Sequence, residues 1–105
     1  MSKATFETVF ARAAEFQARV FPDQTFVAKA NHLEREVAEW RRDPSDIMEC
    51  ADVFLLTLAC AAKIGFTPEQ VLEAAGRKMD INNLRRWSAP DADGVPHHIA
   101  SEVQS

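Results

Sequence analysis

Apolar residues recur at spacings of three and four along most of the chain, which is the period of an α-helix with one buried face. The first such segment follows Ser2 or Thr5, either of which suits a helix N-cap. Its predicted buried stripe consists of Phe6, Val9, Phe10, Ala13, Phe16 and Val20. Pro22 closes this helix, because proline disfavours helical backbone at the residue before it.

Two further helices follow the same period. The second is predicted from Thr25 to Arg41, and the third begins at Asp43-Pro44, which suits an N-cap followed by a first-turn proline. The third helix continues to about Ile64, where Gly65 suits a left-handed C-terminal cap. The predicted buried stripe of the second helix consists of Phe26, Ala30, Leu33, Val37 and Trp40.

A fourth helix is predicted from the capping-box pattern of Thr67 and Gln70 to about Trp87. The remaining segment, 89–105, is rich in turn residues and is predicted to be irregular. No strand pattern of any length is present. The expectation is therefore an all-α fold with one helical domain over 1–88 and an irregular C-terminal tail over 89–105.

Charge and apolar content exclude several classes of protein. The chain has 105 residues, a net charge of −4 and a pI near 5.3, which disfavours binding to a nucleic-acid polymer. Its most apolar run, 53–62, is about half of the length that a membrane-spanning helix needs. Charged residues interrupt the first 20 positions, so no signal-peptide core is expected there. Cys50 and Cys60 are expected to be reduced thiols in the core of a cytoplasmic protein without membrane partners.

Two carboxylates interrupt the apolar third helix. From Ile47 to Ala62 the sequence is IMECADVFLLTLACAA, in which only Glu49 and Asp52 are charged. A helix that is apolar nearly all round is normally buried, and burial of an unpaired carboxylate is costly. At a spacing of three residues both groups lie on one face and repel each other. A bound cation would relieve both penalties.

The second helix carries a matching acidic pair, Glu36 and Glu39, again three residues apart. Lys29 and His32 extend the same polar edge and are candidate substrate contacts. Because the connection between these helices is short, we expect an antiparallel hairpin that brings the two acidic pairs together. Four carboxylates with at most one histidine favour a hard cation, Mg²⁺ or Mn²⁺. The alternative is that the acidic pairs lie on ordinary solvated helix faces.

The fourth helix supplies the opposite charge. Lys78, Asn82 and Arg85 fall on one face, with Trp87 just beyond them. Such a face suits phosphate oxygens, because arginine offers a planar fork and lysine a point charge. Stabilisation of the helix C-terminus by cations is the alternative. Basic side chains beside an acidic metal cluster would form a triphosphate site.

These motifs resemble the all-α nucleotide pyrophosphohydrolases of the MazG-like superfamily, whose signature is E-x-x-E on one helix and E-x-x-D on the next. The resemblance is closer to the dATP/dGTP diphosphohydrolase branch, which includes phage MazZ-type enzymes. It covers about residues 25–98. The matching blocks are H-L-x-x-E-V-x-E from His32, E-x-A-D-V from Glu49, K-M-x-x-N-x-x-R-x-W from Lys78, and a trailing histidine, His97 or His98.

The resemblance implies specific roles for these residues. Glu36, Glu39 and Asp52 correspond to metal ligands, and Glu49 to a fourth ligand or the base that orients the attacking water, so Glu49 and Glu36 are the catalytic candidates. Contacts to triphosphate or sugar are implied for Lys78, Asn82 and Arg85. Candidates for base stacking are Trp87, Phe26, His32 and His98. For His32 and Phe26 a place in the core is the alternative, as it is for Trp40, and His98 is otherwise a tail residue.

The implied reaction is hydrolysis of a purine deoxynucleoside triphosphate to the monophosphate and pyrophosphate. The MazZ-like character favours dGTP over dATP, with dGMP supplying modified-base synthesis in a phage and the enzyme lying in the host cytoplasm. A homo-oligomer, either a dimer or a tetramer, is also implied. Two alternatives stay open: a house-cleaning enzyme for dATP or damaged nucleotides, and a non-catalytic helical interaction module that dimerises through its Phe-rich first helix.

Overall fold

The computed structural model describes residues 3–100, which form four α-helices and no strand. Helix α1 spans Phe6–Val20, α2 spans Phe26–Arg42, α3 spans Ile47–Ile64 and α4 spans Pro68–Leu84. The all-α prediction is confirmed over this range. The chain divides into two compact units, 1–71 and 72–105, which are described separately below. The predicted domain boundary near residue 88 stays a prediction.

Three helices begin where the capping residues predicted. The Thr5 side chain accepts a hydrogen bond from the Thr8 backbone N–H at 3.1 Å, which caps α1. In α4, the backbone N–H of Gln70 donates to Thr67 Oγ1 at 3.1 Å, and that of Thr67 donates to Gln70 Oε1 at 2.9 Å. This is the reciprocal capping box expected from the T-x-x-Q pattern. At the start of α2, Thr25 caps the backbone N–H of Ala28.

The predicted start of α3 at Asp43-Pro44 is wrong. Asp43 is instead the C-cap of α2, where its backbone N–H donates to the carbonyls of Glu39 and Trp40. Proline disfavours helical backbone at the residue before it, which is consistent with α2 ending at Arg42, and Pro44 lies in the connection between the two helices. The N-cap of α3 is Asp46, whose carboxylate accepts a hydrogen bond from the Met48 backbone N–H at 2.9 Å.

The ends of α3 and α4 differ in how well they agree with the prediction. Gly65 ends α3 with a φ of 104°, in the left-handed region that glycine favours, as predicted. Helix α4 ends at Leu84, three residues before the predicted end at Trp87. The Trp87 indole Nε1 donates to the carbonyl of Asn82 at 3.1 Å, so its side chain folds back over the last turn of the helix.

The core of the first unit forms where α3 packs against α1 and α2. Phe10, Ala13 and Leu58 are its buried centre, with Phe6 and Val9 packed around them. The predicted α1 stripe is therefore confirmed in its first half only. Its second half is not buried, since Phe16 and Val20 are 40% and 41% exposed.

The predicted α2 stripe and the complete burial of α3 both need correction. Phe26 is 41% exposed and is not a core residue, and Val37 is also exposed. Trp40 is half-buried. Buried residues of α3 are confined to its second half: Leu56, Leu58, Ala59 and Cys60. In the first half of α3, Ile47 is 78% exposed. Cys50 is half-buried, and both cysteines are free thiols as predicted.

The second unit continues from α4 into an irregular segment. The Ser88 backbone N–H donates to the His97 carbonyl at 2.8 Å, and the Ile99 backbone N–H donates to the Arg86 carbonyl at 2.7 Å. These bonds join Trp87 and His98 in an isolated antiparallel bridge. The predicted irregular tail thus returns to the end of α4 over its described part, and residues 101–105 lie outside the described residues. Within residues 3–100, no helix is both long and apolar enough to cross a membrane.

Candidate functional site

Three carboxylates from the facing helices α2 and α3 converge. Glu36, Glu49 and Asp52 each offer an oxygen atom, and these atoms lie within 4.8 Å of one another. Antiparallel packing explains the convergence, because the end of α2 lies beside the start of α3 across the short connection 43–46. Glu36 of one predicted acidic pair therefore meets both members of the other pair, and we call these three residues the carboxylate cluster.

The fourth predicted ligand, Glu39, lies beside this cluster. It is half-buried, and its charge acts on both Glu36 and Glu49. Its oxygens are not among those that meet within 4.8 Å. Glu39 therefore adds negative charge at the edge of the cluster, and its role as a ligand stays a prediction.

Two members of the cluster have raised pKa values. Burial raises the pKa of Glu36 above its usual value of 4.5, and a hydrogen bond and the charge of Glu39 raise it further. Partial desolvation also raises the pKa of Glu49, followed by the charges of Glu39 and Asp46. In both residues desolvation is the largest cause and neighbouring carboxylates add to it, so the ionised form is disfavoured.

The cluster fits a divalent cation. Oε2 of Glu49 is buried and has no hydrogen-bond partner within residues 3–100, whereas buried polar atoms are normally paired. A cation at the cluster would give this oxygen a partner and would offset the repulsion among the carboxylates. An all-oxygen donor set is the one that Mg²⁺ and Mn²⁺ prefer.

His32 joins the site through Glu36. Its Nε2 atom lies 3.2 Å from Glu36 Oε1, one helical turn along α2. The Glu36 side chain is only 16% exposed, so its orientation is held by packing as well as by this contact. The contact with His32 lowers the pKa of Glu36, in opposition to the larger effect of burial. His32 therefore lies on the same edge of α2 as Glu36, as its spacing predicted.

A cavity of about 700 Å³ opens beside the carboxylates, and His32, Glu36 and Asp52 line it. The remaining wall comes mostly from α1, including Arg12, Phe16 and Arg19, and from Phe21 directly after that helix. The Phe16 and Phe21 rings are stacked, with centroids 6.2 Å apart and planes at 16°, and the Arg19 guanidinium lies 5.8 Å from the Phe16 ring centroid.

The α1 contribution to this cavity was missed by sequence analysis, which assigned Phe16 to the core stripe and drew no functional residue from the first 24 positions. A signal was present, because Arg12 and Arg19 flank Phe16 at helical spacing. Only the packing of α1 against α3 shows that these side chains share a cavity with the carboxylates.

Lys29 lies elsewhere in the first unit. It is buried, and its Nζ donates to the side-chain oxygens of Gln17 at 2.9 Å and Gln24 at 3.1 Å. It lines a second cavity rather than the one with the carboxylates. A substrate contact by Lys29 stays a prediction.

The other predicted substrate residues belong to the second unit, where several of them contact one another. Nη1 of Arg85 donates to Asn82 Oδ1 at 3.3 Å, and Trp87 meets the His98 ring edge-on at 6.1 Å between centroids. Lys78 is exposed on α4. Their roles as nucleotide contacts stay predictions.

Comparison with known proteins places the chain in a family. The model of the dATP/dGTP pyrophosphohydrolase family matches residues 9–105. The chain belongs to this family. The match begins in α1, earlier than the motifs of the second helix, and so includes the aromatic wall of the large cavity. The family assignment indicates a nucleotide pyrophosphohydrolase, as the acidic motifs predicted.

Two individual relatives agree with this assignment. A solved structure of the cyanophage S-2L MazG-like pyrophosphohydrolase, bound to dGDP and three catalytic Mn²⁺ ions per active site, matches with a TM-score of 0.78 and 30% identity. The match covers 93% of this chain and 100% of that one. The Eaa protein of Salmonella phage P22 is 36% identical over 64 residues, which are 60% of this chain and 20% of that protein. The matched region thus spans about a fifth of that relative's length.

Proposed function

We propose that this protein hydrolyses a purine deoxynucleoside triphosphate to the monophosphate and pyrophosphate, with Mg²⁺ or Mn²⁺ as cofactor. The main structural support for this proposal is the convergence of Glu36, Glu49 and Asp52 beside a cavity that also has an aromatic wall. Family membership and the Mn²⁺-bound structural neighbour support the same reaction. Negative charge from the protein and from a triphosphate would repel strongly without a cation between them.

Glu36, Glu49 and Asp52 would hold the cation, with Glu39 as a further candidate. When bound, a divalent cation offsets the charge of the phosphates and activates water as a nucleophile near neutral pH. The three carboxylates come from two helices that pack directly against each other, so their separation is set by rigid elements. Such placement on rigid elements is what a precise ligand set requires.

Glu49 is the residue we propose as general base. Its raised pKa moves it towards the range in which a carboxylate can take a proton from water at neutral pH. A carboxylate has two oxygens, so Oε2, which has no hydrogen-bond partner within residues 3–100, would face the cation while Oε1 accepts the proton of that water. Glu36, oriented by His32, would keep its own oxygens directed at the cation.

The aromatic wall of the large cavity is our candidate for the base subsite. Purine rings stack well on aromatic faces, and Phe16 and Phe21 present two such rings in the cavity that Glu36 and Asp52 line. Arg12 and Arg19 line the same cavity and offer positive charge to phosphate oxygens. We propose Lys78, Asn82 and Arg85 as additional phosphate or sugar contacts on the basis of residue type and motif.

Within the purine class, we propose dGTP as the preferred substrate. The support is the dGDP-bound state of the structural neighbour, which is a phage protein. The dGMP that such a reaction releases would be a precursor for modified-base synthesis in a phage. Initial rates with dGTP and dATP at equal concentration test this preference, and a faster rate with dATP would reverse it.

We also propose that the protein is a homo-oligomer, a dimer or a tetramer. On α3, Ile47 is 78% exposed, Met48 is 68% exposed and Phe54 is 46% exposed. Large apolar side chains that are this exposed on one helix would form a subunit interface if they are contiguous, and contiguous apolar patches mark such interfaces. Sedimentation velocity should give a species of at least twice the chain mass, and Met48→Glu should shift it towards the monomer. A wild-type monomer at micromolar concentration would exclude the oligomer.

Substitution of the carboxylates tests the proposed reaction. Glu36→Gln and Asp52→Asn should each abolish pyrophosphate release from dGTP while circular dichroism stays helical. Glu34→Gln is the matched control, because Glu34 is an exposed carboxylate on α2 outside the carboxylate cluster. Retained activity in Glu36→Gln or Asp52→Asn would show that this residue is not an essential ligand. An equal loss of activity in Glu34→Gln would contradict the assignment of the carboxylate cluster as the metal site.

A further inference from the structure

A second cavity, of about 330 Å³, lies between α1, the segment after it, and the facing parts of α2 and α3. Four of its lining residues have small side chains, which leave the space open: Ala14, Ala18, Ala59 and Ala62. Its volume is many times the roughly 30 Å³ that one water occupies in the liquid, so it accommodates a small polyatomic ligand. Gln17 and Phe21 line both this cavity and the one with the carboxylates.

The charged residues that line this second cavity are both lysines. Lys29 is 3% exposed and lines it, and Lys63 from α3 lines it as well. Among the described residues that line the cavity there is no aspartate or glutamate. A buried ammonium without a carboxylate partner is unusual, because charged side chains are almost never fully buried unless they are paired.

The hydrogen bonds of Lys29 leave capacity for a ligand. Its Nζ donates to the amide oxygens of Gln17 and Gln24, which are neutral acceptors. An ammonium has three N–H donors, so two bonds leave the third available. Burial lowers the pKa of Lys29, the charge of Lys63 lowers it further, and Cys60 acts in the opposite direction.

We propose that the second cavity is a binding site for a phosphate-type oxyanion, either inorganic phosphate or pyrophosphate. Such an anion would accept the third N–H of Lys29 and would lie beside the Lys63 ammonium. Charge-assisted hydrogen bonds of this kind are about twice as strong as neutral ones. Free phosphate and the pyrophosphate released at the adjoining cavity are the two sources of this chemistry.

Isothermal titration calorimetry on the metal-free full chain, in EDTA and without nucleotide, tests the site independently of hydrolysis. Inorganic phosphate and pyrophosphate are titrated separately at constant ionic strength set with chloride. We expect saturable binding of at least one anion at one site per chain. Tighter binding of pyrophosphate would identify the reaction product as the source of the anion. Tighter binding of phosphate would identify free inorganic phosphate as the source.

Three variants in the first unit and Lys78→Gln in the second unit locate the binding. Lys63→Gln, an exposed position that preserves the core, should weaken binding by roughly tenfold, and Lys29→Met should abolish it. Lys3→Gln is the matched control, because Lys3 is an exposed lysine outside the cavity lining. Circular dichroism checks the fold of each variant.

Three results would overturn the proposal. The first is no saturable binding of either anion by the wild type. The second is binding by Lys29→Met and Lys63→Gln that equals the wild type. The third is loss of binding in Lys78→Gln with retention in Lys29→Met, because that pattern would place the anion in the second unit. None of these results depends on turnover, so the proposed hydrolase activity stands or fails separately.

Discussion

Nε2 of His32 lies 3.2 Å from Oε1 of Glu36, and this contact links the large cavity to the carboxylate cluster. Glu36 belongs to the cluster and lines the cavity, whereas His32 lines the cavity only. A partner that holds a metal-binding carboxylate in place is typical of metal sites, where such partners orient the ligand and tune its basicity. We therefore propose His32 as a positioning residue for Glu36.

Replacement of His32 should weaken cation binding. His32→Ala should raise the Mn²⁺ concentration that gives half-maximal activity by about 10- to 100-fold, the usual effect of losing such a partner. His32→Gln should restore part of that loss, since its amide can also donate to a carboxylate. A reduced maximal rate with unchanged Mn²⁺ dependence in His32→Ala would contradict a positioning role.

The stability of the metal-free protein should depend on pH through Glu36 and Glu49. Both have folded-state pKa values above the usual 4.5, so the folded chain binds these protons more tightly than the unfolded chain. Their contribution to stability is therefore fully present below about pH 4.5 and is lost as the pH rises through the folded pKa values. Thermal melts in EDTA across this window measure it.

Glu49→Gln serves as the reference for that pH dependence. The variant lacks one of the two titrating groups, so the difference in melting temperature between variant and wild type should grow as the pH rises towards neutral. Mn²⁺ should have the opposite effect on the wild type, because protons compete with the cation for the same oxygens. Parallel pH profiles of the two proteins in EDTA would contradict the assigned pKa shift.

Removal of an aromatic ring from the large cavity should weaken substrate binding. Stacking of one base on an aromatic side chain is worth about 1–3 kcal/mol by alanine substitution, or roughly 5- to 150-fold in affinity. Phe16→Ala should therefore raise the KM for dGTP within this range. Phe66→Ala is the matched control, since Phe66 is an exposed phenylalanine that does not line the cavity. Equal KM values for Phe16→Ala and the wild type would contradict the assignment of Phe16 to the base subsite.

The capping box of α4 gives a prediction about stability alone. Thr67→Ala removes the side-chain acceptor of the Gln70 backbone N–H and should lower the free energy of unfolding by about 0.5–2 kcal/mol. Thr67→Ser keeps the hydroxyl and should have a much smaller effect. Urea unfolding of the two variants and the wild type checks the difference. Equal stabilities of Thr67→Ala and Thr67→Ser would contradict the cap.

Local chemistry explains why some of the fold could be predicted from the sequence. Gly65 and Thr67 act within one helical turn, so the end of α3 and the start of α4 follow from neighbouring residues. The pairing of Glu36 with Glu49 and Asp52 followed from one further step, because a four-residue connection forces adjacent helices to run antiparallel. These predictions needed spacing and chain connectivity only.

Burial could not be predicted in the same way. Periodicity identifies an apolar face of a helix but not what covers it, and Phe16 and Phe26 lie exposed on faces that were predicted to be core. The placement of Phe16 beside the carboxylates depends on how α1 packs against α3, which no local pattern encodes. For the same reason Lys29, one turn before His32 on α2, lies in a different cavity from it.

Product analysis with the four deoxynucleoside triphosphates, each incubated with Mg²⁺, Mn²⁺ or EDTA, tests the central claim most directly. Purified wild type should convert dGTP to dGMP and pyrophosphate in either metal and should be inactive in EDTA. Glu36→Gln should be inactive in all three conditions. Release of single phosphate, or no turnover of any of the four by a folded sample with either metal, would contradict the proposed reaction.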